Sequence, residues 1–215
     1  MTPGPDGAAR RVLREDHLGA STFVEKGWHL IAIGNYADAE EILLHALELA
    51  PSDVRGRALL GWALMRQGML DEAERVFVTL LGENTLYAMA RVNLGYVFMK
   101  KGQLDRASEL LLVASRQARD PKAALYATFY RGLLHSTAGE PSQAEECFRN
   151  TIFLAPNFIE GYYELGRALR GAGKSDEARS IWRAGHEANR FNVWGKRCAE
   201  AVRLDDRGLA VPSYS

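Results

Sequence analysis

The segment Ala168-Leu-Arg-Gly-Ala-Gly-Lys-Ser175 is the strongest candidate for chemistry in this chain of 215 residues. It has the spacing of a loop whose backbone N–H groups and Lys cradle phosphates, with Ala in place of the first Gly. Such a loop must follow a β-strand and open a helix, so that the amides point at the ligand. Here the preceding residues, Tyr162-Tyr-Glu-Leu-Gly-Arg-Ala-Leu169, carry a helical pattern. The same register is held by Gly34-Asn, Gly68-Met, Gly102-Gln and Gly139-Glu, so Gly173-Lys174-Ser175 reads as one copy of a recurring turn. A nucleotide-dependent enzyme is kept only as the weakest alternative.

Other reactive side chains form no pattern. The histidines His17, His29, His45, His135 and His186 lack ligand spacing such as His-x-x-x-His, and each reads as a surface or half-buried residue. Glu40-Glu41, Asp71-Glu72 and Glu145-Glu146 sit where second helices of a repeat would begin, where a negative charge favours the helix dipole. Cys147 and Cys198 are far apart and outside any Cys-x-x-Cys, so reduced, buried thiols are expected. No Ser/His/Asp or Cys/His arrangement can be assembled. The expectation is therefore no enzyme, no cofactor and no metal.

Charge and composition narrow the partners. Lys plus Arg equals Asp plus Glu, 27 each, so no global field attracts nucleic acid or an anionic membrane. Met1-Thr-Pro-Gly-Pro-Asp-Gly7 has no apolar run behind it and does not read as a secretory signal. No stretch approaches the roughly 18 apolar residues of a membrane span. The cytoplasm is the expected compartment. Apolar residues make up 47%, enough for a continuous core.

The elements that must position any site follow from a repeat. A Gly, a second Gly and an Ala recur as Gly27/Gly34/Ala39, Gly61/Gly68/Ala73, Gly95/Gly102/Ala107, Gly132/Gly139/Ala144 and Gly166/Gly173/Ala178, at offsets of 34, 34, 37 and 34 residues. A fixed period of this size marks a repeat array. The second Gly ends one helix by tolerating positive φ. The first Gly and the Ala are small so that two antiparallel helices can approach closely. At the 37-residue step, Asp120-Pro121 reads as an N-cap followed by Pro at the first helical position, starting that helix a turn early. Residues 1–7 read as loose, 8–18 as a short helix anchored by Val12 and Leu13, and Thr22-x-x-Glu25 as a capping box opening the first repeat helix. After residue 192, Trp194, Cys198, Ala201 and Val202 at helical spacing predict a helix that covers the last apolar face, and 208–215 a loose tail.

This layout resembles the tetratricopeptide repeat family. The residues that carry the resemblance are Leu60-Gly61, Leu94-Gly95 and Leu165-Gly166, the Ala of each triplet, Phe77, Leu111, Phe148 and Trp182 in the second helices, and Pro51 and Pro156 closing repeats one and four. Departures are Arg57, Arg91 and Thr128 where the family often has an aromatic, and Lys26 and Arg131 before the first Gly. The resemblance implies an all-α, right-handed α-solenoid of five helix–turn–helix repeats, at 20–53, 54–87, 88–124, 125–158 and 159–192, with a short N-terminal helix and a C-terminal capping helix.

In that family the first helices line a concave peptide-binding groove, so the resemblance assigns the groove to a second stripe on those helices. The stripe holds Ser21, Val24, Trp28 and Ile31, then Arg55, Ala58, Trp62 and Met65, then Met89, Val92, Tyr96 and Met99 with Asn93 beside them. It continues as Tyr126, Phe129, Leu133 and Ser136 with Tyr130 adjacent, and turns polar at Glu160, Tyr163, Arg167 and Arg170. For Val24, Ala58 and Val92, packing between repeats is as good a reading. A Trp or Tyr can bury ~150–250 Å², roughly 4–6 kcal/mol gross, whereas an exposed charge pair adds about 0–1 kcal/mol. The aromatic and Met residues are thus expected to set affinity. Arg55, Arg66, Lys100, Arg167 and Arg170 are expected to orient a partner and favour acidic flanks, and Asn93 to hold a peptide amide. The expected function is a non-enzymatic adaptor binding a peptide or helical segment of a partner protein. The alternative is a homo-oligomeric scaffold whose groove is filled by its own or a neighbour's N-terminal helix.

Overall fold

Two small residues decide how closely each helix pair can pack. A Cβ added at Gly61 would stand 2.7 Å from the Phe77 ring, and one at Gly166 would stand 2.1 Å from the Trp182 indole. Each glycine thus admits a bulky side chain of the following helix against its own backbone. Leu43 fills the same place against Gly27, and Phe148 against Gly132. At the ends of the first helices, Gly34, Gly68, Gly102, Gly139 and Gly173 all adopt positive φ, from 73° to 83°. The triplet alanines Ala39, Ala73, Ala107, Ala144 and Ala178 are fully buried.

These rules are realised in a computed structural model, which describes residues 19–83, 87–116 and 120–213. The described residues form eleven α-helices and no strand: α1 (Ala20–Ala32), α2 (Tyr36–Leu49), α3 (Val54–Gln67), α4 (Leu70–Glu83), α5 (Ala88–Lys100), α6 (Leu104–Arg116), α7 (Pro121–Thr137), α8 (Pro141–Leu154), α9 (Ile159–Gly171), α10 (Ser175–Ala188) and α11 (Val193–Asp206). The chain divides into two compact units, residues 1–101 and 102–215. No helix among the described residues is long and apolar enough to cross a membrane.

In the first unit, α1/α2 and α3/α4 are helix–turn–helix hairpins and α5 packs on α4. The first helices also lie side by side, α1 against α3 and α3 against α5. Asn35 caps α2 by accepting the Asp38 N–H, and Asp53 caps α3 by accepting the Arg55 N–H at 2.9 Å. The capping box expected at Thr22 and Glu25 is not formed. Helix α1 begins earlier, at Ala20, with Gly19 at the cap and no side-chain bond. The Thr22 N–H instead donates to the Gly19 carbonyl at 2.8 Å. Glu25 is then too far along the helix to cap it, and its carboxylate pairs with Arg55 of α3. The short helix expected over 8–18, with Val12 and Leu13, lies outside the described residues.

In the second unit, α6 packs on α7, α7/α8 and α9/α10 are hairpins, and α11 covers α9 and α10. Helix α7 has 17 residues and begins at Pro121, with the Asp120 carboxylate accepting the Ala123 N–H at 3.0 Å. The early start read from Asp120-Pro121 is realised. Asn192 caps α11 by accepting the Gly195 N–H at 2.6 Å. Cys198 and Ala201 of α11 are buried.

The tail expected to be loose from residue 208 makes two hydrogen bonds to α9 over its described part. Gly208 ends α11 at φ 69°, and the chain turns back onto α9. Tyr163 Oη donates to the Pro212 carbonyl at 2.7 Å and Arg170 Nη2 to the Leu209 carbonyl at 2.8 Å. Sequence pattern could not show this, because a short irregular segment has no periodicity.

Candidate peptide-binding faces

Trp28 on α1, Trp62 on α3 and Tyr96 on α5 are separated by 34 residues each and occupy the same position in successive first helices. Helical packing of α1, α3 and α5 places this column along one face of the first unit. The Trp28 and Trp62 rings lie 5.7 Å apart, tilted by 35°. Trp28 is 37% exposed, and Trp62 and Tyr96 are half-buried. Met89, Asn93 and Met99 of α5 are also half-buried. Asn93 makes no hydrogen bond among the described residues.

Of the stripe expected to line a groove, Ile31, Met65, Phe129, Leu133 and Tyr163 are buried. Tyr163 packs against Trp194 of α11, ring centroids 5.5 Å apart. Val24, Ala58 and Val92 are buried in the same way, in keeping with packing between repeats. In the second unit, Phe129 stands 5.0 Å from Phe158 and 5.8 Å from Phe148, centroid to centroid. Tyr126 packs edge-on to Phe158 at 5.5 Å, and Tyr130 lies 6.1 Å from Tyr126. Tyr126 and Tyr130 remain half-buried at the margin of this cluster. Burial, with a smaller effect from the Glu160 charge, pushes the Tyr126 phenol above its usual range.

The cations sort into two groups. Arg55 is held by Glu25, and this hydrogen bond keeps the Glu25 carboxyl below the usual carboxylate range. Arg167 Nη1 donates to Glu164 at 2.6 Å and Arg170 Nε to Asp205 at 2.5 Å. Each of these three guanidiniums has a carboxylate partner within the chain. Arg66 and Lys100 have no carboxylate partner among the described residues. They too stand 34 residues apart, each at the end of a first helix. Arg66 lies over the Tyr36 ring at 5.4 Å and Lys100 over the Tyr96 ring at 5.6 Å. Both border a cleft of about 480 Å³ that also includes Met65, Gln67, Leu70 and Tyr96. This cleft combines an aromatic wall with two cations, which suits an acidic residue next to an apolar one.

Sequence reasoning missed a buried carboxylate. Glu164 is 1% exposed, one of its oxygens pairs with Arg167, and Oε1 has no partner. Burial raises its pKa, and Arg167 draws it part of the way back. Its position four residues before Ala168 reads as ordinary helix surface, so no sequence signal marks it.

The phosphate-loop-like segment sits between α9 and α10, with Gly173 at φ 79°. Lys174 Nζ is 3.0 Å from Glu145. A helix precedes it, so it is the helix–helix turn. Both cysteines are free and buried, and burial pushes the Cys198 thiol up to about 12. Among the described residues no group of three or more His, Cys, Asp or Glu could hold a metal ion.

Comparison with known proteins agrees with this architecture. Tetratricopeptide repeat family profiles match residues 30–86, 64–128 and 129–189. A thermophilic tetratricopeptide repeat protein of Thermus thermophilus superposes with a TM-score of 0.77 at 22% identity, covering 86% of this chain and 100% of that one. PilF of Pseudomonas aeruginosa gives 0.70 at 21% identity, covering 88% of this chain and 86% of that one. A MamA crystal structure gives 0.59 at 25% identity, covering 76% and 94%. No curated protein matches. With helix pairs stacked in each unit, the recurring Gly/Gly/Ala register and profiles matching most of its length, the chain belongs to the tetratricopeptide repeat family.

Proposed function

We propose that this protein is a non-enzymatic adaptor that binds a segment of a partner protein on the α1/α3/α5 face of its first unit. The observation that carries this reading is the column of Trp28, Trp62 and Tyr96 at one repeat position. The fold needs small residues at Gly27 and Gly61 next to the two tryptophans, but it does not need large aromatics in the column. Partly exposed aromatics aligned on adjacent helices offer large area at low entropic cost. Arg66 and Lys100 give the partner a sign: a segment with apolar anchors and an acidic residue beside them. Asn93, with its amide uncommitted, is suited to hold a backbone group of that segment.

Quantitative affinity purification tests this. Wild-type chain and the W62A/Y96A variant serve as bait, with helical circular dichroism confirming that both are folded. Partners enriched on the wild type and lost on the variant are expected. An identical set on both baits would sink the reading.

A further inference from the structure

The segment that follows α11 lies along the second unit's α9 and shows how that helix holds a peptide. Tyr163, 1% exposed, donates its hydroxyl to the Pro212 carbonyl at 2.7 Å. Arg170 donates Nη2 to the Leu209 carbonyl at 2.8 Å, while Asp205 fixes its Nε at 2.5 Å. Asp205 is itself held by Arg179 at 2.6 Å, so the guanidinium of Arg170 is braced from behind.

The spacing matches an extended chain. Tyr163 and Arg170 are seven positions apart on α9, about 10 Å along the axis. Leu209 and Pro212 are three positions apart, about 10 Å when extended. The order is reversed, with Leu209 at the Arg170 end and Pro212 at the Tyr163 end, so the segment runs opposite to α9. What the two donors read is backbone carbonyl, which any extended segment offers at that interval. The residues between them, Ala210 and Val211, are small or apolar, and Val211 forms a wall of a cleft of about 530 Å³ beside Arg167 and Arg170. The seat is shallow: Leu209 is 49% exposed, and over 208–213 only Val211 is half-buried. A segment held mainly at backbone atoms and left largely in solvent is exchangeable.

We propose that the Tyr163–Arg170 face of α9 is a binding site for an extended, uncharged peptide, and that residues 209–213 of the chain itself occupy it as a tethered competitor. The tether gives the internal segment an effective concentration of order mM, so an external peptide must outcompete it. This site is on the second unit and does not rest on the aromatic face of the first.

The test uses full-length chains and a labelled peptide Gly-Leu-Ala-Val-Pro-Ser, copying residues 208–213. Fluorescence anisotropy is read on the wild type and on a variant whose own segment is loosened by L209G, V211G and P212G. All three changes lie outside the helices, and circular dichroism checks the fold. The loosened variant is expected to bind the peptide at least about tenfold more tightly than the wild type, because the tethered competitor is weakened. Adding Y163F to the loosened variant should reverse part of that gain. In the otherwise wild-type chain, Y163F should speed amide hydrogen exchange over residues 209–213. Equal weak binding to both chains, or binding and exchange indifferent to Y163F, would overturn the proposal. Such a failure concerns α9 alone and leaves the first-unit reading standing.

Discussion

Gly61 and Gly68 are both glycine for different physical reasons, and substitution separates them. Gly61→Ala forces a methyl to within 2.7 Å of the Phe77 ring, an overpacking expected to cost about 1–3 kcal/mol. Gly68→Ala meets nothing within 4 Å but must hold φ 83°, at about 1–2 kcal/mol. Urea unfolding should show that a second change, Phe77→Leu, recovers stability in the Gly61 variant and none in the Gly68 variant. Glu164 gives a pH signature. Its folded pKa is raised, chiefly by burial, above the ordinary value of 4.5. The folded chain therefore binds a proton that the unfolded chain has released. The associated stability is complete below pH 4.5 and is lost as pH rises through the raised value. Glu164→Gln should flatten the fall of Tm from pH 4.5 upward, and an unchanged slope would assign the effect elsewhere. The glycines and alanines of the repeat were legible in sequence because their spacing repeats. Glu164 was not, since nothing in local pattern distinguishes a buried carboxylate from a solvated one on a helix.

Helix α7 shows an element whose length is set by its first residues. Asp120 accepts the Ala123 N–H and Pro121 takes the first helical position, extending the helix to 17 residues. Asp120→Ala should cost about 1 kcal/mol, read as a lower midpoint in urea with an unchanged slope. The start of α7 was readable because a cap and a proline are local signals. The start of α1 was misread, because Thr22 and Glu25 satisfy the cap spacing but the helix continues back to Ala20. A motif match loses to continuation of the helix when the preceding residues tolerate it. The groove stripe was read only in part for a related reason. Helical periodicity assigns a side chain to a broad sector. It does not separate the part of that sector facing solvent, where Trp28 and Tyr96 reach, from the part inside the packing, where Ile31 and Met65 are buried.

At the scale of the whole molecule, the chain carries no net charge, so nothing steers partners over long distances. The proposed adaptor role therefore rests on local features, the aromatic column of the first unit with Arg66 and Lys100 beside it. Arg55, Arg167 and Arg170, which sequence alone assigns to orientation, each pair with a carboxylate of the chain, Glu25, Glu164 and Asp205. Composition could exclude a global field but could not show which cations the fold would neutralise. The claim that the aromatic face of the first unit is the interaction surface is tested most directly by affinity. Once purification has delivered the bound segment, isothermal titration should measure its Kd for the wild type and for W62A/Y96A. Buried aromatic anchors typically cost about 2 kcal/mol or more each when truncated, so the double variant should bind at least about 100-fold more weakly. A Kd within about twofold of the wild type, with helical content unchanged, would contradict the assignment of this face.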